Sequence, residues 1–341
     1  MRSPKSWAKS ELSNHGPGLL EDFSNVMRTR RSQFSGNPVS GFAQTGKHRS
    51  VLLHEAIEAL NIQKGDVIVD ATLGGAGHAK EILKNLGEEG TFIGFDADRN
   101  AIERAHASLD TEDRRIHLVN ANFRTLTGEL EKRAIPQIDK ALFDLGWSTY
   151  QLSEGKGFSF LADEPLDMSY AEGQKLTAAI IVNDWEEESL ADVIFGFGEE
   201  RYSRRIAKAI VAARMLRPIQ NARELGEIVK SAVPSAYRYG RLHPATKTFQ
   251  ALRIAVNDEL GALKEGLESA WNMLCPGGRL VVITFHSIED RIVKQLFVGW
   301  DKAGEGTRIT KKPIVPSISE LESNPRARSA KLRVIEKNNH A

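Results

Sequence analysis

The sequence predicts an α/β fold, in which buried strands alternate with amphipathic helices. Short β-branched and aliphatic runs recur along the chain, helix-length segments separate most of them, and the first run breaks into glycines. The predicted strands are VIVDATL, TFIGFDAD, RIHLVNANF, KALFDLG, GRLVVITF and KLRVIEK. With 341 residues, 41% of them apolar, the chain is long enough for this sheet and one large insertion or second domain.

The chain divides into three predicted parts. Residues 1–47 have few aliphatic side chains and no periodicity, so we predict a flexible extension. The sheet domain is predicted over residues 48–150 and 243–341, and it begins with the amphipathic helix LLHEAIEAL. Residues 151–242 are mostly helical in pattern and form a predicted insertion. Because ligands of open α/β sheets bind beyond the carboxyl ends of strands, we expect this insertion to cover the ligand crevice and hold a substrate.

The segment VIVDATLGGAGH, residues 67–78, is the strongest functional motif. An apolar strand ends at an acid and breaks into Gly74, Gly75 and Gly77 before a helix predicted from about Ala79. Glycines let a ligand approach the backbone closely, and the first N–H groups of the helix face the same space. The motif therefore predicts a cofactor loop, with an ordinary strand-to-helix turn as the alternative.

The second predicted strand, TFIGF, places Asp96 at its carboxyl end, where a carboxylate can accept both hydroxyls of a ribose. Loop and acid together predict an adenosine-containing ligand. The loop lacks the Lys-Ser/Thr pair of a P-loop and the full G-x-G-x-x-G spacing, which disfavours a triphosphate and NAD. S-adenosylmethionine carries ribose hydroxyls and no phosphate, so it fits best.

Composition excludes several classes of function. The longest apolar runs, such as LVVITF, are far too short to cross a bilayer, so we predict no membrane association. The single cysteine, Cys275, cannot form an internal disulfide, which favours a reducing compartment. The nine histidines lack H-x-x-x-H or Cys/His spacing, and we predict no metal site.

A cytoplasmic location is predicted. A mitochondrial or other organellar matrix is the alternative, because Arg28, Arg30 and Arg31 occur in an N-terminal segment that also contains acids.

A formal net charge of only +1 hides a local asymmetry. Residues 201–253 contain twelve Lys or Arg and two acids, whereas residues 184–200 are acidic. The segment NPRARSAKLR adds basic residues with little acid nearby in the sequence, which favours RNA phosphates over internal ion pairs or a solvated helix face. The predicted RNA-binding residues are Arg201, Arg204, Arg205, Lys208, Lys247, Arg253, Arg326 and Arg328.

Eight motifs, in order from residue 48 to the C-terminus, resemble the bacterial ribosomal-RNA small-subunit methyltransferase H family, which includes a mitochondrial branch. The motifs are HRSVLLHEA, DATLGGAGH, DLGWSTYQL, GFSFLADEPLDM, GEERYSRRIAKAI, HPATKTFQALRIAVNDEL, PGGRLVVITFHSIEDRIVK and NPRARSAKLR. The resemblance implies a Rossmann-like class I S-adenosylmethionine methyltransferase sheet. It also implies methyl transfer to the exocyclic N4 of one cytidine in 16S-type ribosomal RNA near the decoding centre. The partner would be that RNA or the small ribosomal subunit.

The resemblance also assigns site residues by motif position. The cofactor-binding residues that it implies are Ala76, Gly77, His78, Asp96, Phe123, Asp144 and Gln151. Gly74 and Gly75, predicted from the glycine loop itself, complete the set. Two segments depart from the common family pattern: Gly75-Ala76 stands where Arg-Gly is more usual, and Trp147-Ser148-Thr149-Tyr150 where Val-Ser-Ser-Pro is usual. We interpret these departures as bearing on fine specificity rather than on activity.

The chemistry of the reaction can be considered separately from the family. Transfer to an exocyclic amine mainly requires alignment of amine, methyl and sulfur. Methylation at cytosine C5 instead needs a thiolate. We interpret Cys275 as a small packed residue in a turn, which disfavours methylation at C5. The candidate catalytic residues are Asp144, Ser148 and His286. A turn or capping carboxylate is the alternative for Asp144, and a structural role is nearly as well supported for His286.

Two other functions remain open from the sequence. A nucleotide-dependent dehydrogenase is disfavoured by the incomplete dinucleotide motif and by the basic insertion. A non-catalytic RNA-binding ribosome-assembly factor could use the same fold as a scaffold. The sequence leaves the oligomeric state undecided, with a homodimer as one option.

Overall fold

The computed structural model describes residues 49–109, 113, 115–146, 155–171 and 173–339, so the predicted extension over 1–47 lies outside the described residues. The chain forms two compact units. The described part of the first, here called the helical unit, lies in Gly155–Ser169 and Lys175–Asn257. The second, the sheet unit, comprises Gln44–Glu154, Tyr170–Gln174 and Asp258–Ala341.

The predicted α/β fold is confirmed by the secondary structure. The strands of the described residues are β1 Val67–Asp70, β2 Thr91–Asp96, β3 Ile116–Asn120, β4 Ile138–Asp144, β5 Leu274–Thr284, β6 Gly306–Arg308 and β7 Lys331–Lys337. The α-helices are α1 Leu53–Leu60, α2 Gly77–Leu86, α3 Arg99–Ser108, α4 Leu126–Glu131, α5 Ala178–Asp184, α6 Glu187–Gly198, α7 Ser203–Arg214, α8 Ala222–Ala232, α9 Ser235–Arg238, α10 Thr246–Asn257, α11 Glu259–Met273, α12 Ser287–Lys302 and α13 Ile318–Ser323.

The seven strands form one sheet in the order β3-β2-β1-β4-β5-β7-β6. Strands β1 to β5 pair in parallel, whereas β7 is antiparallel to both β5 and β6. Since the carboxyl ends of parallel strands meet at one edge, the terminal residues Asp70, Asp96 and Asp144 lie at the same edge of the sheet. The short strand β6 was not anticipated, because three residues are too few to carry a periodic signal.

Apolar side chains cover both faces of the sheet. Successive strand residues point to opposite faces, so Leu142 packs with α1 and α2 on one side while Phe143 packs with α11 and α12 on the other. Both side chains are fully buried, and each contributes roughly 1.5–3 kcal/mol of hydrophobic stabilisation. This two-sided burial fixes the positions of the strand ends at which the polar residues lie.

The helical unit has a core of its own, formed by one apolar face from each of its longer helices. Side-chain caps mark two helix starts: Thr177 accepts the N–H of Ile180, and Asn221 accepts the N–H of Glu224. The unit extends to Asn257, whereas the sequence placed its boundary at 242. The reason is that α10 buries Phe249 and other apolar side chains in this core. Among the described helices, none combines the length and the apolar character that a membrane span needs.

Candidate functional site

Three aspartates end strands β1, β2 and β4 within the sheet unit. Burial raises the pKa of Asp70 to about 7, that of Asp96 to about 6 and that of Asp144 to about 8. The neighbouring charges add to this effect, since ionised Asp96 raises the pKa of Asp70 and ionised Asp70 raises that of Asp144. The three carboxyl groups at these strand ends therefore exchange protons near neutral pH. A positive charge placed beside them would favour their ionised forms.

The loop after β1 is tied to the end of β2 through Asp96. Its carboxylate accepts the backbone N–H of Gly74 on Oδ2 and that of Asp98 on Oδ1, both at 2.9 Å. Gly74 has φ 50°, and a Cβ there would meet nothing within 4 Å, so the loop borders open space. Ala76 also lies in the left-handed region, at φ 57°, although an L-residue is less stable there than glycine. The loop is therefore held open by Asp96.

Helix α2 begins at Gly77, slightly before the predicted start at about Ala79. A Cβ on Gly77 would lie 2.0 Å from Oγ of Ser50, so the close approach of the chain at Ser50 requires glycine here. The first N–H groups of the helix have no partner within the helix, which makes this end suitable for an electron-rich ligand group. The two loop glycines thus have different roles: Gly74 borders open space and Gly77 permits close packing.

His78 links this helix to Asp144. The ring is 5% exposed, and its Nε2 lies 3.2 Å from the carbonyl oxygen of Val51. Because a carbonyl can only accept, Nε2 carries the proton of a neutral ring. The other nitrogen, Nδ1, lies 3.6 Å from Oδ2 of Asp144, while Oδ1 of Asp144 is buried and makes no hydrogen bond to a described residue. That oxygen therefore has an unused capacity to accept a hydrogen bond.

Phe123 follows β3 in a short 3₁₀ turn, Phe123–Thr125. Its ring packs edge-to-face on Phe143, with 5.3 Å between centroids. A Cβ on Gly266 of α11 would lie 2.4 Å from Cδ2 of Phe123, so the helix approaches the ring closely. The ring is thereby fixed at the carboxyl edge of the sheet. Two other predicted site residues, Ser148 and Gln151, lie outside the described residues, as does the whole Trp147–Tyr150 departure.

His286 lies at the carboxyl end of β5, as predicted, and its contacts account for it as a helix cap. Its Nδ1 accepts the N–H of Glu289 at 3.3 Å, and the Glu289 carboxylate accepts the backbone N–H groups of Phe285 and His286 in return. This reciprocal capping box begins α12. The catalytic role assigned from the sequence stays a prediction.

Glu259 joins His286 and Glu289 in a cluster whose ligand-type atoms lie within 4.8 Å of one another. This cluster could not be predicted from the sequence, because Glu259 belongs to a different helix from Glu289. A neutral His286 ring carries its proton on Nε2, since Nδ1 already accepts an N–H, and Nε2 lies 3.0 Å from Oε1 of Glu289. His286 and Glu289 are already engaged with each other in the capping box, and we assign no metal site.

Cys275 is remote from the three aspartates. Leu274 pairs with Ile138 at the start of β4, whereas Asp144 at its end pairs with Ile283. Asp144 lies six positions after Ile138 along the strand, which corresponds to about 20 Å. Burial and a hydrogen bond of 3.1 Å to Asp139 raise the pKa of the Cys275 thiol to about 11. The residue lies at the start of β5 rather than in a turn before it, and it supplies no thiolate to the site.

The predicted basic face of the helical unit is present on and next to α7. Arg201, Arg204, Arg205 and Lys208 are exposed, and no ion pair joins them to a carboxylate within the described residues. The guanidinium of Arg201 lies 4.8 Å from the ring centroid of Tyr202 and 5.1 Å from that of Tyr237. Internal ion pairs therefore do not explain this face, although the sequence left them as an alternative.

Two predicted RNA-binding residues of α10, Lys247 and Arg253, are less exposed than the cations on and next to α7. The ammonium group of Lys247 donates to the carbonyl oxygen of Glu199 at 2.8 Å, at the C-terminal end of α6. Arg253 is only 9% exposed, because its side of α10 faces the core of the helical unit. This burial disfavours a phosphate contact, and the RNA-binding role of Arg253 stays a prediction.

The C-terminal basic segment also differs from the expectation. Lys331 and Arg333 both pair with Asp290, at 3.0 and 2.7 Å, so the expected lack of nearby acid was wrong. Asp290 lies on α12, far from them in sequence. Arg326 is half-buried, and burial lowers its pKa. Arg328 is exposed and stays a predicted RNA contact.

Comparisons with known proteins show which family this chain resembles. A relative from Symbiobacterium thermophilum is 46% identical over 306 residues, which covers 85% of this chain and 96% of that protein. A relative from Clostridioides difficile is also 46% identical, and the match covers 85% of this chain and 98% of that protein. Both are named ribosomal RNA small subunit methyltransferase H. A solved structure described as a putative rRNA-methylase from Clostridium thermocellum matches with a TM-score of 0.43 at 14% identity, covering 85% of this chain and 98% of that one. The model of the MraW methylase family matches residues 45–338, and this chain belongs to that family.

Proposed function

We propose that this protein methylates the exocyclic N4 of a cytidine in small-subunit ribosomal RNA, near the decoding centre. It is an S-adenosylmethionine-dependent methyltransferase of the MraW family, with a Rossmann-like class I sheet. The relatives are named for small-subunit ribosomal RNA, which supports that RNA, alone or within the small subunit, as the substrate. The observation that carries the proposal is the buried aspartate group beside the open glycine loop.

The residues of the sheet unit fit the methyl donor. S-adenosylmethionine, when bound, supplies an electrophilic methyl group on a positively charged sulfur. The carboxyl groups of Asp70 and Asp144 have raised pKa values because burial and neighbouring carboxylates disfavour their ionised forms. A ligand that carries positive charge would stabilise those forms and would therefore be favoured. Asp96 uses one acceptor site of each oxygen for a backbone N–H and keeps lone pairs for ribose hydroxyls. The fixed ring of Phe123 offers an apolar surface for the adenine.

Asp144 is the best candidate for a group that contacts the acceptor amine. Its Oδ1 has no hydrogen-bond partner among the described residues. An ionised carboxylate can accept a hydrogen from an amino group and hold the nitrogen lone pair toward the methyl group. With a pKa of about 8, Asp144 is also basic enough to take up the proton that the methylated amine releases. The distant, protonated Cys275 disfavours methylation at C5 of the pyrimidine.

The basic face supports an RNA substrate. Four cations at helical spacing, which pair with no carboxylate in the described part of the chain, match the negative charge of a phosphate backbone. We propose that Arg201, Arg204, Arg205 and Lys208 bind phosphates while the sheet unit performs the chemistry.

A cytoplasmic location stays a prediction, which cell fractionation would check. A homodimer also stays a prediction, and analytical sedimentation of the purified protein would check it.

A methyl-transfer assay with labelled donor and purified small-subunit ribosomal RNA tests the proposal. We expect transfer by the wild-type protein, a kcat about 100-fold lower for Asp144→Asn, and wild-type kcat for the surface control Asp163→Asn. If the wild-type protein binds the RNA and the donor but transfers no methyl group to RNA or to small subunits, the assembly-factor alternative is correct.

A further inference from the structure

Tyr239 stands out because 87% of its surface is exposed. A tyrosine ring carries a large apolar area and is usually at least half covered in a folded protein. Tyr239 follows α9 in the sequence Arg238-Tyr239-Gly240-Arg241, in which the two arginines are also exposed. An aromatic ring between two exposed cations is the arrangement that proteins use for single-stranded nucleic acids.

The backbone on both sides of Tyr239 is anchored. The guanidinium of Arg238 donates to the carbonyl oxygens of Val233 and Ser231, at 3.1 and 2.9 Å. On the other side, the N–H of Gly240 donates to the carbonyl oxygen of Tyr237 at 3.2 Å. These bonds form a local turn that directs the ring outward, so less conformational entropy would be lost when a flat ligand covers it.

The turn is joined to the basic face through Tyr237. The Tyr237 hydroxyl donates to Oε2 of Glu200 at 2.5 Å, and the N–H of Tyr202 donates to Oε1 of the same carboxylate at 2.8 Å. Glu200 is fully buried, and these two bonds give each of its oxygens a hydrogen-bond partner. The guanidinium of Arg201 lies over the rings of Tyr202 and Tyr237. The residues that precede Tyr239 and the start of the basic face therefore form one packed cluster.

We propose that Tyr239 is a stacking residue for an unpaired base, and that the phosphates next to this base bind Arg201 and Arg204. The inference rests on the proposed function and specifies it further: the RNA bound here is single-stranded. In duplex RNA the faces of the bases are covered by their neighbours, whereas an unpaired nucleotide offers a free face. The surrounding positive charge favours RNA over a protein partner. Within the described part of the chain, no carboxylate forms an ion pair with Arg201, Arg204 or the two arginines beside Tyr239.

Binding of an oligoadenylate of about twelve nucleotides, a length suited to a short single-strand site, tests the inference without any methyl donor. The variants are Tyr239→Ala, Tyr239→Trp, and Leu216→Ala as a matched control, since Leu216 is 88% exposed in the same unit. We expect Tyr239→Ala to weaken binding about 10-fold, while Tyr239→Trp and Leu216→Ala bind as the wild type does. Inorganic polyphosphate, which has charge but no bases, should bind all four proteins equally.

Unchanged oligoadenylate binding by Tyr239→Ala would overturn the inference, and so would equal losses for oligoadenylate and polyphosphate. Binding to intact small subunits that falls while oligoadenylate binding does not would point to a protein contact and would also overturn it. In the methylation assay we expect Tyr239→Ala to raise KM for RNA with kcat unchanged. A wild-type protein that binds oligoadenylate through Tyr239 but transfers no methyl group would refute the proposed function alone.

Discussion

The carboxylate of Asp96 at the end of β2 accepts the backbone N–H of Gly74 at 2.9 Å, which joins the second strand to the glycine loop after the first. The same carboxylate also accepts the N–H of Asp98. Asp96 therefore orders the loop and keeps lone pairs for a ligand. Loss of the side chain would affect both the loop and the binding of the donor.

Asp96→Ala should weaken S-adenosylmethionine binding by at least about tenfold, because two charge-assisted hydrogen bonds to the loop and those to the ribose are lost together. Asp96→Asn keeps one acceptor oxygen and should lie between Ala and the wild type. Titration calorimetry with the purified protein measures both affinities. Wild-type affinity in Asp96→Ala would show that the donor does not bind at this loop.

Gly77→Ala should lower the free energy of unfolding by about 1–3 kcal/mol, because the new Cβ overlaps the Ser50 hydroxyl and the packed neighbours must shift. Adding Ser50→Ala to the same chain removes the nearest atom and should restore most of the loss. Urea denaturation of the four proteins of this double-mutant cycle measures the coupling. Additive effects would contradict the close approach of these two residues.

The preference for S-adenosylmethionine over S-adenosylhomocysteine should increase with pH. The two ligands differ by the methyl group and its positive charge. Asp70 and Asp144 have raised pKa values of about 7 and 8, so both are largely protonated at pH 6 and ionised at pH 9, and ionisation attracts the sulfonium. We expect the ratio of the two Kd values to change at least about tenfold over this range, corresponding to ~1.4 kcal/mol. A ratio that is independent of pH would rule out this role, and Asp144→Asn should flatten the dependence.

Charge reversal of Arg204 and Arg205 to Glu should weaken RNA binding and leave the affinity for the donor unchanged. Each lost phosphate contact should also lower the slope of log K against log salt by about 0.7 for single-stranded RNA. The matched control is Arg99→Glu, an exposed arginine of the sheet unit that pairs with Glu103. Equal losses of RNA and donor binding would indicate misfolding rather than a phosphate contact.

Much of the sheet unit could be predicted because its signals are local. The apolar strands, the glycine break and the acid at the end of the second strand occur within a few residues of one another, and Asp96 indeed contacts the glycine loop. Periodicity likewise predicted the helices of the insertion. The compact helical unit continues to Asn257, beyond the predicted boundary at 242, since the packing of α10 against the helical core is a long-range contact that leaves no local signal.

The polar residues were harder to interpret for the same reason. Asp290 pairs with Lys331 and Arg333 across more than forty residues of sequence, so local charge counting took these cations to be unpaired. Arg253 looked like a surface cation because charge alone does not reveal which side of a helix is buried. The cluster of Glu259 with His286 and Glu289 depends on tertiary structure in the same way.

Mapping the methylated nucleoside tests the central claim most directly. Small-subunit ribosomal RNA from cells that lack the protein would be incubated with it and a donor that carries a deuterated methyl group, then digested and analysed by mass spectrometry. We expect the label on the exocyclic nitrogen of one cytidine near the decoding centre, and far less of it after the same time with Asp144→Asn. Label on C5 of cytosine or on another base would contradict it.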